Sequence, residues 1–485
     1  STSMSIEKAG LKNLEERLHE DLSRLELPAK AWVHSHSVNS TKVEDVVIIG
    51  GGMAGLTAAA ALRFLGIQPL VLDAAPAGYE GPWATTARME TLRSPKQLTG
   101  PALGLPSLTF RAWFEAQFGS EKWAELDKIP RLQWMDYLRW YRHVLQLPVH
   151  NEHYVTHVDF EGDHYLRLTI EAKGQQKTVF ARRLILATGR DGLGGPAIPA
   201  FLQDIPRQYW AHSSDPYDYD QLKDKKVAVI GAGASAMDSA GTALECGAQR
   251  VDLLIRRATI PTINKGKGAG NPGIVHGFYG LPDEWKWRIR HYINKQQVPP
   301  PRNSTLRVSR HKNAYFNVDC QIESIELQDQ QLRVHTSKGV FAVDFLIAAT
   351  GFKIDWHLRP EYAAFAPLVR TWADRYQPDV ADFDAELSAC PDLDAHFAFQ
   401  PKAGVDAKAL RHIYCFNYPA VATHGTVSGD IPAISEGAQA LARNIAGSLY
   451  QEDVAYHYAQ LVAFSEPELE GNEWQPADPS ASESA

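Results

Sequence analysis

Val46-Val47-Ile48-Ile49-Gly50-Gly51-Gly52-Met53-Ala54-Gly55 is a continuous apolar run that breaks into glycines and resumes as a small-residue, helix-favouring stretch over residues 56–65. The same plan recurs at Val227-Ala228-Val229-Ile230-Gly231-Ala232-Gly233-Ala234-Ser235-Ala236, with a helix expected over residues 237–246. Such apolar runs read as strands buried on both faces of a parallel sheet. At the turn, glycine lets strand and helix backbones approach closely, and the helix N-terminus directs free N–H groups where a pyrophosphate can bind. One copy alone is a weak signal. Two copies in the same strand–turn–helix context predict an α/β protein with two Rossmann-like dinucleotide-binding units.

The two copies end differently. The first is followed by Pro69-Leu70-Val71-Leu72 closing on Asp73, the second by Val251-Asp252-Leu253-Leu254-Ile255 closing on Arg256 and Arg257. Laid over one another, the strands are expected to put Asp73 and Arg256 at the same place, beside the ribose 2′ position. A carboxylate there accepts hydrogen bonds from free hydroxyls, whereas a guanidinium suits a 2′-phosphate. The first unit therefore reads as a site for FAD, held by Gly50, Gly52, Gly55 and Asp73. The second reads as a site for NADPH, held by Gly231, Gly233, Ser235, Ala236, Arg256 and Arg257.

Two apolar strands ending in Ala-Thr-Gly, at residues 184–189 and 345–351, flank the second fingerprint. Small residues there permit a close crossing beside a dinucleotide, so Gly189, Thr350 and Gly351 are candidate cofactor contacts. Their positions predict an NADPH domain inserted within the FAD domain. The expected division is an N-terminal helical arm and linker (1–42), a first FAD part (43–195), the NADPH domain (196–342), and a second FAD part with the C-terminal segment (343–485). In the arm, leucines 11, 14, 18, 22 and 25 form one helical stripe, which either packs on its own domain or joins copies of the chain into a homo-oligomer.

Composition excludes several classes. With 485 residues, 44% hydrophobic, 22% charged and a net charge of −8, the chain reads as a globular protein with no nucleic-acid partner. It shows neither membrane-spanning stretch nor signal-peptide plan, so a cytoplasmic location is expected. Cys246, Cys320, Cys390 and Cys415 are too widely spaced in sequence for the close cysteine pair that disulfide-exchange chemistry commonly uses. His150, His153 and His157 lie in sequence that reads as strand, and no metal is expected.

With these features on the page, the chain after about residue 43 resembles the class B flavin-dependent monooxygenases, the group of flavin-containing monooxygenases, Baeyer–Villiger enzymes and amine N-hydroxylases. The resemblance is carried by both fingerprints, both Ala-Thr-Gly strands, Ala211-His212-Ser213-Ser214-Asp215, and the C-terminal stretch containing Gly425, Gly429, Pro432, Glu436 and Gln439. Residues 91–106 and 129–140 are more similar to the N-hydroxylase branch. The family's F-x-G-x-x-x-H signature is broken by Pro206 and Gln208, and Pro216-Tyr217 replaces the Trp-Pro of Baeyer–Villiger enzymes.

What the resemblance implies is specific. NADPH reduces FAD, O2 adds to give a flavin C4a-hydroperoxide, and one oxygen atom passes to a small soft nucleophile, an amine nitrogen or a sulfur. Trp83, Gly429, Asp430 and Pro432 meet the flavin, a helix starting near Ile431 or Pro432 directs N–H groups at its reduced ring, His212 positions the nicotinamide, and Lys96 meets substrate or flavin edge. Trp113, Trp210 and Tyr418 join Trp83 as candidate pocket walls. Baeyer–Villiger oxygenation of a ketone is the alternative within the group. An NADPH-to-FAD reductase serving a protein partner is the alternative outside it.

Overall fold

The computed structural model describes residues 2–480, with side chains described from residue 10 onward. The first glycine turn follows the central strand Thr41–Ile49, whose Val46, Val47 and Ile48 are fully buried. This strand runs parallel to Pro69–Leu72 on one side, with Val149–His150 beyond, and to Gln175–Leu186 on the other. The early half of Gln175–Leu186 continues an antiparallel meander with His153–Glu161 and Tyr165–Ala172, while its end pairs in parallel with Ile413–Cys415. A strand contributed from beyond residue 400 thus completes the first sheet.

A second, all-parallel sheet has the order Ala314–Asn317, Arg250–Leu254, Lys226–Ile230, Phe345–Ala348, Trp210–His212. The strand before the second Ala-Thr-Gly therefore lies in the second sheet, beside the second fingerprint. A boundary at residue 343 would cut that sheet, and the chain leaves it only after Gly351. The outgoing segment Gly194–Pro196 and the returning Phe352–Ile354 pair antiparallel, joining the two crossings. A meander of Ile322–Gln328, Gln331–Thr336 and Gly339–Val343 packs beside the second sheet.

The N-terminal helix Thr2–Arg24 belongs to the first unit's core. Leu14 and Leu18 are each 1% exposed, and Leu11 and Leu22 pack against the same cluster. A Cβ on Gly10 would stand 1.9 Å from the Ala116 carbonyl oxygen, so the arm crosses helix Phe110–Glu125 at backbone contact. Trp140 donates its indole N–H to Glu15, and Ser107 donates to Asp21. Burial of each leucine contributes roughly 1.5–3 kcal/mol, which resolves the choice left open for the stripe in favour of its own domain. Leu25, at 58% exposed, lies outside the contact.

The stretch expected as a linker instead contains a hairpin. His36–Val38 pairs with the start of the central strand through Asn39 and Ser40, both at positive φ (48° and 65°). Polar, turn-forming residues suit a tight reversal as readily as a flexible connection. Among the described residues no helix is long and apolar enough to cross a membrane.

Candidate functional site

At the first turn the chemistry follows from close approach. Gly50 has φ +112°, and a Cβ there would stand 2.1 Å from the Ala187 carbonyl oxygen; one on Gly55 would stand 1.7 Å from that of Gly50. The first Ala-Thr-Gly strand is thereby pressed against the glycine turn. Helix Met53–Phe64 starts at Gly52 with no side chain capping it, which leaves its leading N–H groups for a ligand. Asp73 accepts from the Gly51 N–H (2.7 Å) and from the Ala75 N–H (2.8 Å), so its carboxylate is fixed at the turn. Beside it opens a cavity of about 630 Å³ bounded by Gly51, Gly52, Glu80 and Arg142, and also by Glu15 and His19 of the N-terminal helix. An uncapped helix N-terminus, a held carboxylate and an adjoining cavity fit an unphosphorylated dinucleotide such as FAD.

The second turn shares the plan and differs in detail. Gly231 has φ +126°, and helix Ala234–Glu245 starts at Gly233 with no side-chain cap. Ser235 is exposed in the first turn of that helix, while Ala236 is buried, its methyl 3.4 Å from where a Gly231 Cβ would stand. Strand register corrects the expected overlay. Ile49 pairs with Leu72 and Ile230 with Leu254, so Ile255 takes the place of Asp73 and Arg256 stands one residue farther out. The second helix–strand connection is one residue longer, which a count along the strand does not reveal. A 2′-phosphate also reaches beyond a 2′-hydroxyl, so the displaced position still suits a guanidinium. Arg256 is exposed and makes no hydrogen bond or ion pair with a described residue. Arg257 instead donates to the Lys295 carbonyl (2.9 Å). An NADP-type coenzyme fits these groups.

Between the turns lies the crossing. Ser214 donates its backbone N–H to His212 Nδ1 (3.1 Å), so Nε2 carries the proton and donates it to the Gly351 carbonyl (2.9 Å). His212 is 1% exposed, and burial pushes its pKa below the ordinary histidine range, keeping the ring neutral. Both ring nitrogens are engaged within the protein, so the imidazole ties the strand Trp210–His212 to the second crossing. Thr350 donates to the Ala197 carbonyl (2.5 Å), across the same seam, and Gly189 turns the first crossing at φ +85°.

Two residues that sequence reasoning passed over hold this crossing. Arg88 donates to the carbonyls of Ser213 (2.7 Å), Asp215 (3.0 Å) and Tyr217 (2.9 Å), lies 4.0 Å over the Tyr219 ring, and gives its own carbonyl to Arg307. Asn417, 1% exposed, donates to Thr188 Oγ1 (3.1 Å) and accepts at its carbonyl from Ser428 (2.8 Å), linking the first Ala-Thr-Gly to the C-terminal stretch. Neither sits in a motif; only their conjunction with distant backbone shows the role. Arg307, read from sequence as part of a basic face, is buried and paired in bidentate fashion with Glu245.

The remaining candidates divide. Asp430 precedes the turn Ile431–Ala433, which runs into helix Ile434–Glu452, close to the expected start; Gly429 and Pro432 are exposed beside it. Trp83 is half-buried and gives its carbonyl to Arg131 (2.8 Å). Lys96 points away from both turns in its bonding, donating to the Trp123 carbonyl (2.6 Å) with its ammonium 4.8 Å over that ring. Trp113 lies in a buried cluster with Phe110 and Tyr137, and Trp210 donates to the Ile205 carbonyl, so both serve as core. Tyr418 carries the Arg190 guanidinium 3.5 Å over its ring, next to the first crossing.

Comparison with known proteins agrees with this geometry. Residues 47–268 match the family described as pyridine nucleotide-disulphide oxidoreductase, although all four cysteines here are free. In fold the chain is similar to the ornithine hydroxylase of Pseudomonas aeruginosa (TM-score 0.63, 17% identity, 84% of this chain and 99% of that one). It is equally similar to the L-lysine 6-monooxygenase of Pseudomonas syringae (TM-score 0.63, 18% identity, 84% and 99%). In sequence it is 38% identical to the FAD-dependent urate hydroxylase of Xanthomonas campestris over 96% of this chain and 98% of that protein. Identity at that level across nearly the full length of both chains, on a fold with two dinucleotide turns, means that this chain belongs to the flavin-dependent monooxygenases, in the family of the Xanthomonas urate hydroxylase.

Proposed function

We propose that the protein is an NADPH-dependent flavin monooxygenase acting on urate or a closely related purine, with FAD at the first turn and NADPH at the second. The observation that carries this reading is the 38% identity over essentially the whole of the Xanthomonas urate hydroxylase. The chemistry supplied by a bound flavin is acceptance of two electrons from reduced nicotinamide and activation of O2, with one oxygen going to substrate and the other leaving as water.

The chain's own residues do the rest. The uncapped N-terminus of helix Met53–Phe64 holds the FAD pyrophosphate, and Asp73 receives the ribose hydroxyls on lone pairs not used by Gly51 and Ala75. Arg256, free and exposed, reads the 2′-phosphate of NADPH. His212, neutral and bonded on both sides, keeps the two crossings in register so that the two ligands meet between Gly189 and Gly351. The stretch 425–432 covers the junction, anchored by Asn417 and by Gly437, whose absent Cβ lets the Val427 carbonyl lie against the C-terminal helix. An amine substrate recognised by Lys96 would require its ammonium to leave the Trp123 carbonyl.

Purified holoenzyme is expected to show a flavin spectrum and, with NADPH and labelled O2, to place one labelled oxygen in the product of urate at one NADPH per turnover. Oxygenation of ornithine, lysine or a ketone with none from urate would replace the substrate reading. NADPH oxidation that only reduces an added electron acceptor would replace the reaction class.

A further inference from the structure

Helix Asp283–Gln296 bridges the two halves of the site. Toward its C-terminal end the Lys295 carbonyl accepts from Arg257, next to Arg256. Lys286 stands about 13 Å back along the axis, where the helix packs on Val421–His424, immediately before the stretch 425–432. Lys286 is 3% exposed, yet it makes no hydrogen bond or ion pair with any described residue. Its ammonium lies 4.8 Å from the Tyr279 ring centre and 6.0 Å from that of Trp372. The acids in its neighbourhood are already paired: Asp283 with Arg375 (2.9 and 3.0 Å), Asp392 with Arg375 (2.8 Å) and Arg370 (3.0 Å).

One helical turn on, Arg290 shares this face and has a sealed Nε with no partner. Its charge acts on Asp430 and Tyr418, which places it at the covering stretch. His424 completes the lining. It is stacked 3.9 Å from Phe397 and 5.0 Å from Tyr279, donates Nε2–H to the Asp394 carbonyl, and is held neutral by burial, its pKa pushed down to about 4. Buried cations in proteins are ordinarily paired, because an uncompensated charge away from water is costly. A cation left unpaired beside aromatic faces, at the edge of the covering stretch, is arranged for a counter-charge that arrives with a flat ligand.

We propose that Lys286, seconded by Arg290, is the anion-recognising group of the substrate pocket, and that it takes a planar heteroaromatic monoanion of the urate type. This rests on the oxygenation reading above and assigns its specificity to the inserted segment. Sequence reasoning saw here only an excess of basic residues.

The test is equilibrium binding of urate, orotate and benzoate to oxidised holoenzyme without NADPH, for wild type, Lys286→Met, Lys286→Arg and Arg290→Gln. Loss of one charge-assisted contact should weaken anion binding about 10- to 150-fold in K286M, with K286R retaining most of the affinity and R290Q lying between. Flavin content and KM for NADPH should hold in all three. Wild-type affinity in K286M, or a loss confined to NADPH, would overturn the proposal, the latter by making coenzyme phosphate the anion. Failure of wild type to bind any of the three anions would overturn it as well. Tight, Lys286-dependent urate binding without urate oxygenation would support the subsite and sink the proposed reaction.

Discussion

The two glycine turns are built on one plan and finished for different tenures. At the first, Asp73 is clamped by two backbone N–H groups, the neighbouring strand is pressed onto Gly50, and Glu15 and His19 of the N-terminal helix help to enclose the adjoining cavity. At the second, a Cβ on Gly233 would meet nothing within 4 Å, and Arg256 stands exposed without a partner. Preorganised, covered groups favour a ligand that stays, because little ordering remains to be done on binding. Open, unengaged groups suit one that arrives and leaves each cycle. The contrast matches a resident flavin and an exchanging coenzyme.

The largest effect should come from adding one methyl at each turn. Gly55→Ala puts a Cβ into the Gly50 carbonyl, so the purified protein is expected to lose its flavin absorbance or fail to fold, whereas Gly233→Ala should keep both flavin and melting temperature. Equal damage from the two would erase the asymmetry.

Next is the cover over the first cavity. Leu18 is buried against the core, and Leu18→Ala should cost about 2–5 kcal/mol of stability by leaving a cavity. Because the same helix carries Glu15 and His19 to the cavity wall, flavin should also dissociate more readily from the variant. Unchanged denaturation and unchanged flavin retention would show that the arm merely rests on the surface.

The smallest effect sharpens the second turn alone. A guanidinium–phosphate contact contributes about 1.5–3 kcal/mol, so Arg256→Ala should raise the KM for NADPH about 10- to 150-fold and leave that for NADH nearly unchanged. Equal losses for both coenzymes would assign Arg256 to the fold and leave the 2′-phosphate to another residue.

Both turns were legible because their constraints are local. Gly50 and Gly231 need positive φ, the helices begin within a few residues of them, and fully buried strands require unbroken apolar runs. The order of the two Ala-Thr-Gly strands likewise announced an insertion. Arg256's place could not be read in the same way: a one-residue difference in a helix–strand connection shifts the register, and only the paired strands show it. The leucine stripe declared a helix with one apolar face but not the partner of that face, which depends on where Ala116 arrives in space. Arg88, Asn417 and Lys286 belong to no periodic pattern. Their roles come from carbonyls, hydroxyls and aromatic rings brought beside them by segments as much as 229 residues away in the chain, as between Asn417 and Thr188. Sequence by itself determined the two units and their order, since backbone sterics and hydrophobic periodicity act over a few residues. Tertiary structure alone decided which cations are already paired and which stand waiting, because pairing is a property of three-dimensional neighbours.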